Sequence, residues 1–141
     1  TEVPRWWPVG SLGYALDTTP GVTMIIVAGH IDFHDGSSRD AAVEASRPLQ
    51  QATRSDEPGC LAYCFAADPC DDKRIQVYEL WVDEASLAAH FGHENYFNMR
   101  NTLGSIGISG SDNHKFRCDL TEPVYDDTRT PRADFFTAPS D

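Results

Sequence analysis

The sequence predicts an α+β fold in which a four-stranded antiparallel sheet carries helices on one face, in the chain order β-α-β-β-α-β. Three observations point there. Runs rich in β-branched and aromatic residues recur at 22–33, 60–67 and 73–82. Stretches of helical period lie between the first two runs and after the third. Turn-forming pairs, Asp35-Gly36 and Pro58-Gly59, separate them.

Each element can be read in turn. Residues 1–21 have no clean period and hold several prolines and glycines, so they read as an N-terminal arm; Trp6, Trp7 and Tyr14 suggest that it packs on something. Val22 to Phe33 is the clearest strand. Alternation puts Ile25, Val27, Gly29, Ile31 and Phe33 on one face, and Met24, Ile26, Ala28, His30 and Asp32 on the other. After Asp35-Gly36, Ser37 or Ser38 can cap a helix to about Ser55, with Ala42, Ala45, Leu49 and Ala52 as its apolar stripe. Pro48 inside it predicts a kink or break. Cys60 to Ala67 and Lys73 to Val82 are the second and third strands. Asp83 can cap a short helix from Glu84 to Phe91, Gly92 interrupts, and Asn95 to Leu103 resumes helical spacing. Gly104, Gly107 and Gly110 mark a loop, and Lys115 to Thr121 a short last strand. The body is then 22–121, and 122–141 is a C-terminal tail. This order is the split-βαβ, ferredoxin-like pattern. Two helices cover one sheet face only, so the other needs a cover, and a second copy of the same sheet supplies one. A homodimer is expected.

Charge excludes partners more than it names one. The chain has 22 acidic and 11 basic residues, a net charge of −11. That field repels a phosphate backbone and an anionic membrane surface, so neither nucleic acid nor membrane is an expected partner. No apolar run nears the roughly 20 residues of a spanning helix, and a cytoplasmic location is the default. The four cysteines, Cys60, Cys64, Cys70 and Cys118, follow no zinc or redox spacing. Strict alternation would put Cys60 and Cys64 on one sheet face, about 13 Å apart and out of disulfide reach. Buried, reduced thiols are expected.

Two segments carry a resemblance. Glu57-Pro58-Gly59-Cys60-Leu61-x-Tyr63 is followed by Tyr78-Glu79-x-Trp81-x-Asp83-Glu84-x-x-Leu87-x-x-His90. This pairing resembles the signature of the antibiotic-biosynthesis monooxygenase family, over about residues 22–121. The resemblance implies a dimeric α/β barrel with a cavity between sheet and helices in each subunit. It also implies oxygen chemistry on electron-rich aromatic substrates, phenolic polyketides or quinols, without a cofactor. Relatives of this kind also include heme-degrading enzymes, isomerases and proteins without known activity. Heme-degrading members carry Asn where this chain has His30, which argues against that subgroup. A second histidine common among relatives is replaced here by Asn95, with His93 displaced.

The candidate residues follow from these readings. Glu79 and Trp81, two apart on a strand, share a face; a carboxylate beside an inward tryptophan must be paired, protonated or solvated by a cavity. His90 borders the Leu87/Phe91 stripe and titrates in the useful range. His90, His30 or Glu79 could act as base, with Trp81, Tyr63, Phe65 and Phe97 as flat walls and Asn95 or Arg100 as hydrogen-bond donor. Each has a plain structural alternative: Trp81 as core, Glu79 as a hydrogen-bond acceptor, His90 as a satisfied half-buried histidine. If His90 is catalytic, His90→Ala should lower activity more than stability. His30 with His34, and His90 with His93, are pairs that could ligate zinc or iron, but no third ligand stands at compatible spacing. Neither metal nor heme is favoured. The same scaffold could instead host an isomerase or cyclase, or a ligand-binding dimer without turnover.

Overall fold

The computed structural model describes residues 23–138, so the N-terminal arm lies outside the described residues. Seven elements follow one another: β1 (Met24–Phe33), α1 (Gly36–Asp56), β2 (Cys60–Ala67), β3 (Arg74–Trp81), α2 (Glu84–Phe91), α3 (Glu94–Ile106) and β4 (Ile108–Cys118). The strands form one antiparallel sheet in the order β2-β3-β1-β4. All three helices lie on one side, over the face that carries Ile25, Ile31, Phe33, Tyr63, Phe65, Ile75, Val77 and Trp81. The βαββαβ order and the alternation of β1 are as the sequence predicts. The sheet of the single chain is open, not closed into a barrel.

Helix α1 departs from expectation in three ways. Its cap is Asp35, whose carboxylate accepts from the Ser38 amide at 2.7 Å, and not Ser37 or Ser38. It runs unbroken through Pro48. That residue is exposed, so water can satisfy the carbonyl that proline's missing N–H leaves without a donor. Its buried face is polar: Ala42 is joined by Arg39, Ser46, Gln50 and Thr53, while Ala45 is exposed. The apolar stripe mislocates the face because α1 is held by side chain to backbone bonds. Arg39 donates to the carbonyls of Asp71 and Arg74, both at 3.0 Å.

The same device closes an edge of the sheet. Strand β2 is terminal, and an unpaired edge invites association with other chains. Gln50 takes both outward groups of Phe65: its amide donates to the Phe65 carbonyl at 3.0 Å, and its oxygen accepts from the Phe65 N–H at 2.9 Å. Arg54 donates to the Tyr63 carbonyl at 2.7 Å. Gln50→Ala strands two buried backbone groups; the expected loss is about 1–3 kcal/mol in chemical denaturation, with faster aggregation by light scattering.

Three further expectations are corrected. A register shift between Cys60 and Ala62 inserts one residue into β2, so Cys60 turns toward the core while Cys64 lies opposite Tyr78 on the other face. The thiols of Cys64 and Cys70 are exposed, not buried. The glycine-marked loop is largely absent. Gly104 continues α3, Gly107 ends it with φ of 107°, and β4 begins at once. A left-handed residue is what such a sharp helix-to-strand reversal requires, and glycine adopts it without penalty. Beyond β4, residues 119–138 fold on themselves, with a bridge between Tyr125 and Pro131 and with Glu122 accepting from the amides of Phe136 and Thr137.

Candidate functional site

A cavity of about 660 Å³ opens between the helix-bearing sheet face and helices α2 and α3, within the usual size of a small-molecule site. Its walls are largely apolar, with Val27 and Val77 from the sheet, Tyr63 and Phe65 from β2, and Tyr96 and Met99 from α3. Glu79 is the carboxyl among the described lining residues. It is 7% exposed and reaches the space from the middle of the sheet, opposite Val27 on β1 and Tyr63 on β2. Its Oε2 accepts from the indole N–H of Trp81 at 2.9 Å.

Burial raises the Glu79 carboxyl to about 7; the Trp81 N–H pulls the other way, and the nearby Glu57 charge pushes it further up. A carboxyl poised near neutrality inside a hollow can hold a proton or take one. The Tyr63 phenol beside it is pushed well above its usual range, chiefly by burial and then by the charges of Glu79 and Glu57, so it stays protonated. Burial likewise lifts the Cys60 thiol to about 11, which leaves it a poor nucleophile.

Behind the cavity lies a second, closed layer. His90 is 1% exposed and stacks obliquely on Trp81, ring centroids 4.5 Å apart. Its Nδ1 is 2.9 and 3.1 Å from the two carboxylate oxygens of Glu57. A carboxylate at Glu57 accepts, so Nδ1 carries the proton between them. Burial is the main cause that lowers the His90 pKa, partly offset by Glu57, and it favours the neutral imidazole. Asn95 donates to Glu57 Oε2 at 3.3 Å and lies 3.4 Å from Asp56 Oδ2. The Glu57-Pro58-Gly59 turn brings this carboxylate in. A Cβ on Gly59 would fall 2.2 Å from Ser86 Oγ, so glycine alone lets the turn close onto the start of α2.

The structure therefore sorts the sequence's nine candidates. Glu79, Tyr63, Phe65 and Arg100 border the cavity. Trp81, His90 and Asn95 are brought together in the layer behind it, linked to the cavity through the Trp81–Glu79 bond. His30 is on the opposite sheet face, its Nε2 3.7 Å from Asp32, which also binds Arg74. Phe97 points outward, 46% exposed, against Tyr96. Sequence reasoning assigned no role to Glu57, though it opens the motif, and none to Tyr96 or Lys115. Lys115 joins the lining because it stands opposite Val27 on the inward side of the sheet. Among the described residues, no three His, Cys, Asp or Glu are grouped to hold a metal ion. The His90 ring also packs against Tyr63 and Tyr96, which line the cavity.

Comparison with known proteins agrees with this architecture. The family model of the antibiotic biosynthesis monooxygenases matches residues 24–101, more than half of the chain. The chain belongs to the antibiotic biosynthesis monooxygenase family. A curated uncharacterized protein of Synechocystis is 33% identical over 67 residues, 48% of this chain and 44% of that protein. The match thus spans less than half the length of that relative. Among solved structures, a Caulobacter crescentus protein named for the antibiotic biosynthesis monooxygenases superposes with a TM-score of 0.61 at 20% identity, covering 72% of this chain and 92% of that one. One from Deinococcus radiodurans, named likewise, gives 0.64 at 16% identity, covering 72% and 99%. Rv0793 of Mycobacterium tuberculosis gives 0.59 at 20% identity, covering 70% and 97%. At these identities the structural likeness establishes the fold. Matched residues 24–101 of the family model include Glu57, Glu79, Trp81, His90 and Arg100 and stop before Lys115. No helix among the described residues is long and apolar enough to cross a membrane.

Proposed function

We propose that this protein is a cofactor-independent monooxygenase that oxidises an electron-rich aromatic, a phenolic polyketide or quinol, with molecular oxygen. The observation that carries the reading is a single carboxyl, Glu79, placed at the inner wall of an apolar cavity and raised to about 7. Oxygen in its triplet state reacts poorly with closed-shell molecules, but a phenolate or its carbanion form gives up an electron to it readily. The protein's task is then to take a proton in a dry, flat-walled space. Glu79 accepts the acidic proton; Tyr63 and Phe65 support the ring. For a ring methylene flanked by phenols, one oxygen atom becomes the new carbonyl and the other leaves as water. All four electrons and both hydrogens come from the substrate.

Trp81 and His90 act in this reading by fixing Glu79, and neither touches substrate. The functional unit is a homodimer: the sheet face without helices carries Ile26, Ala28, Tyr78, Leu80 and Phe116, a surface that a second sheet can cover. The test is oxygen consumption by metal-stripped protein against a panel of hydroxyanthrones, naphthols and quinols. At least one should be consumed with one oxygen per substrate and no added cofactor. Isomerised or cyclised product without oxygen uptake supports the isomerase alternative. Binding without any turnover supports the ligand-binding one. Either result overturns this proposal.

A further inference from the structure

The cavity's mouth has the opposite charge character from the rest of the chain. Half of the described cations are engaged: Arg39 with Asp40, Arg47 with Glu44, Arg74 with Asp32, Arg132 with Asp134, and Arg54 with a backbone carbonyl. Arg100 from α3 and Lys115 from β4 both border the cavity, are exposed, and make no hydrogen bond or ion pair with any described residue. Two unpaired cations at one opening are unexpected in a chain with twice as many acids as bases. Arg117, two residues beyond Lys115, shares its strand face and adds to the local field.

We propose that the cavity takes an anionic aromatic: a carboxylate on the ring system is held at the mouth by Arg100 and Lys115, and the ionisable hydroxyl points inward to Glu79. This rests on the reading of the cavity as the substrate site. Three physical points fix the orientation. Arg100 offers a planar fork of donors that suits a carboxylate, and Lys115 a second point charge. A carboxylate placed at the inner end would meet Glu79 and be repelled whenever that residue is ionised, so the anion faces out. The apolar walls between the two ends admit only an uncharged ring body. The net charge of −11 repels anions in general, so a local positive rim is needed to draw this one in. A neutral phenol fits the walls and lacks the anchor. A cationic aromatic meets repulsion at the entrance.

Titration calorimetry on the full chain tests this without requiring turnover. The probes are 6-hydroxy-2-naphthoate and its methyl ester, at about pH 6, where Glu79 is mostly protonated. The acid should bind at least about tenfold more tightly than the ester at low salt, and that margin should shrink as salt is added. In the double variant Arg100→Gln, Lys115→Gln the margin should fall to about twofold or less, with ester binding unchanged. Equal affinity for acid and ester, a margin that survives the double variant, or no binding of either at millimolar concentration would each overturn the proposal. The oxygenase reading fails separately: a salt-sensitive preference for the acid without oxygen uptake on any substrate leaves the anionic anchor standing.

Discussion

Glu79→Gln is expected to lower kcat for oxygen-dependent turnover by about 10²–10⁴-fold, the usual contribution of a positioned general base, while substrate affinity changes little. Glutamine keeps the shape and can still accept from the Trp81 indole N–H 2.9 Å away in the native protein, so the fold and the cavity wall survive. Only the ability to take a proton is lost. In the native protein the oxygen-dependent turnover should rise with pH through about 7, as the carboxyl ionises. The residual rate of the variant should lose that inflection. Stopped-flow oxygen consumption across pH, with calorimetric binding alongside, separates the two effects. A variant with native kcat and a native pH profile would remove Glu79 from the chemistry.

His90→Ala is expected to unfold the protein before it says anything about turnover. The imidazole is 1% exposed, bonded to both oxygens of Glu57 and pressed on Trp81. Truncation leaves a buried carboxylate without its main donor, which costs about 3–5 kcal/mol, and opens a cavity beside the indole. His90→Gln, which can still donate to Glu57, should recover part of that loss. Denaturant melts give the stability; kcat measured on the folded protein at low temperature should stay within about tenfold of native, because the imidazole does not reach the cavity. This reverses the order of effects that the sequence suggests for His90. A stable variant with activity lost by a hundredfold or more would restore His90 to the reaction.

How far the sequence reached differs between the two layers of the molecule. Strand alternation is a local property, so the inward faces of β1 and β3, and with them the shared side of Glu79 and Trp81, could be read directly. The motif around Glu57 and His90 was visible, but not that the two residues bond to each other across 33 positions. Helix α1 resisted because most of its fully buried side chains are polar and answer to the backbone of β2, of the β2–β3 connection and of the start of β3, which no hydrophobic period reveals. Strand β4 resisted because most of it is exposed, so Ser, Asp, Asn and Lys serve there as well as β-formers do. Lys115 fell inside the expected strand, but its place on the cavity side comes from its register opposite Val27 of β1, which local sequence does not give. Phe97 shows the converse: an aromatic at a helical position adjoining the apolar face still turned outward, one step from Tyr96, which faces in.

The proposed chemistry turns on the proton that Glu79 holds, and its titration can be followed directly. Folding raises this carboxyl from its ordinary 4.5 to about 7. Between those values the folded protein holds more protons than the unfolded chain, so this group's contribution to stability is greatest below the lower value. It falls as pH rises toward the upper one, by up to about 3 kcal/mol. Carbon-13 NMR of glutamate-labelled protein, with Glu79→Gln to assign the resonance, should show one side-chain carboxyl titrating near 7, and the variant should lose the matching fall in stability. A Glu79 resonance that titrates near 4.5, with the same stability profile in both proteins, would contradict the account.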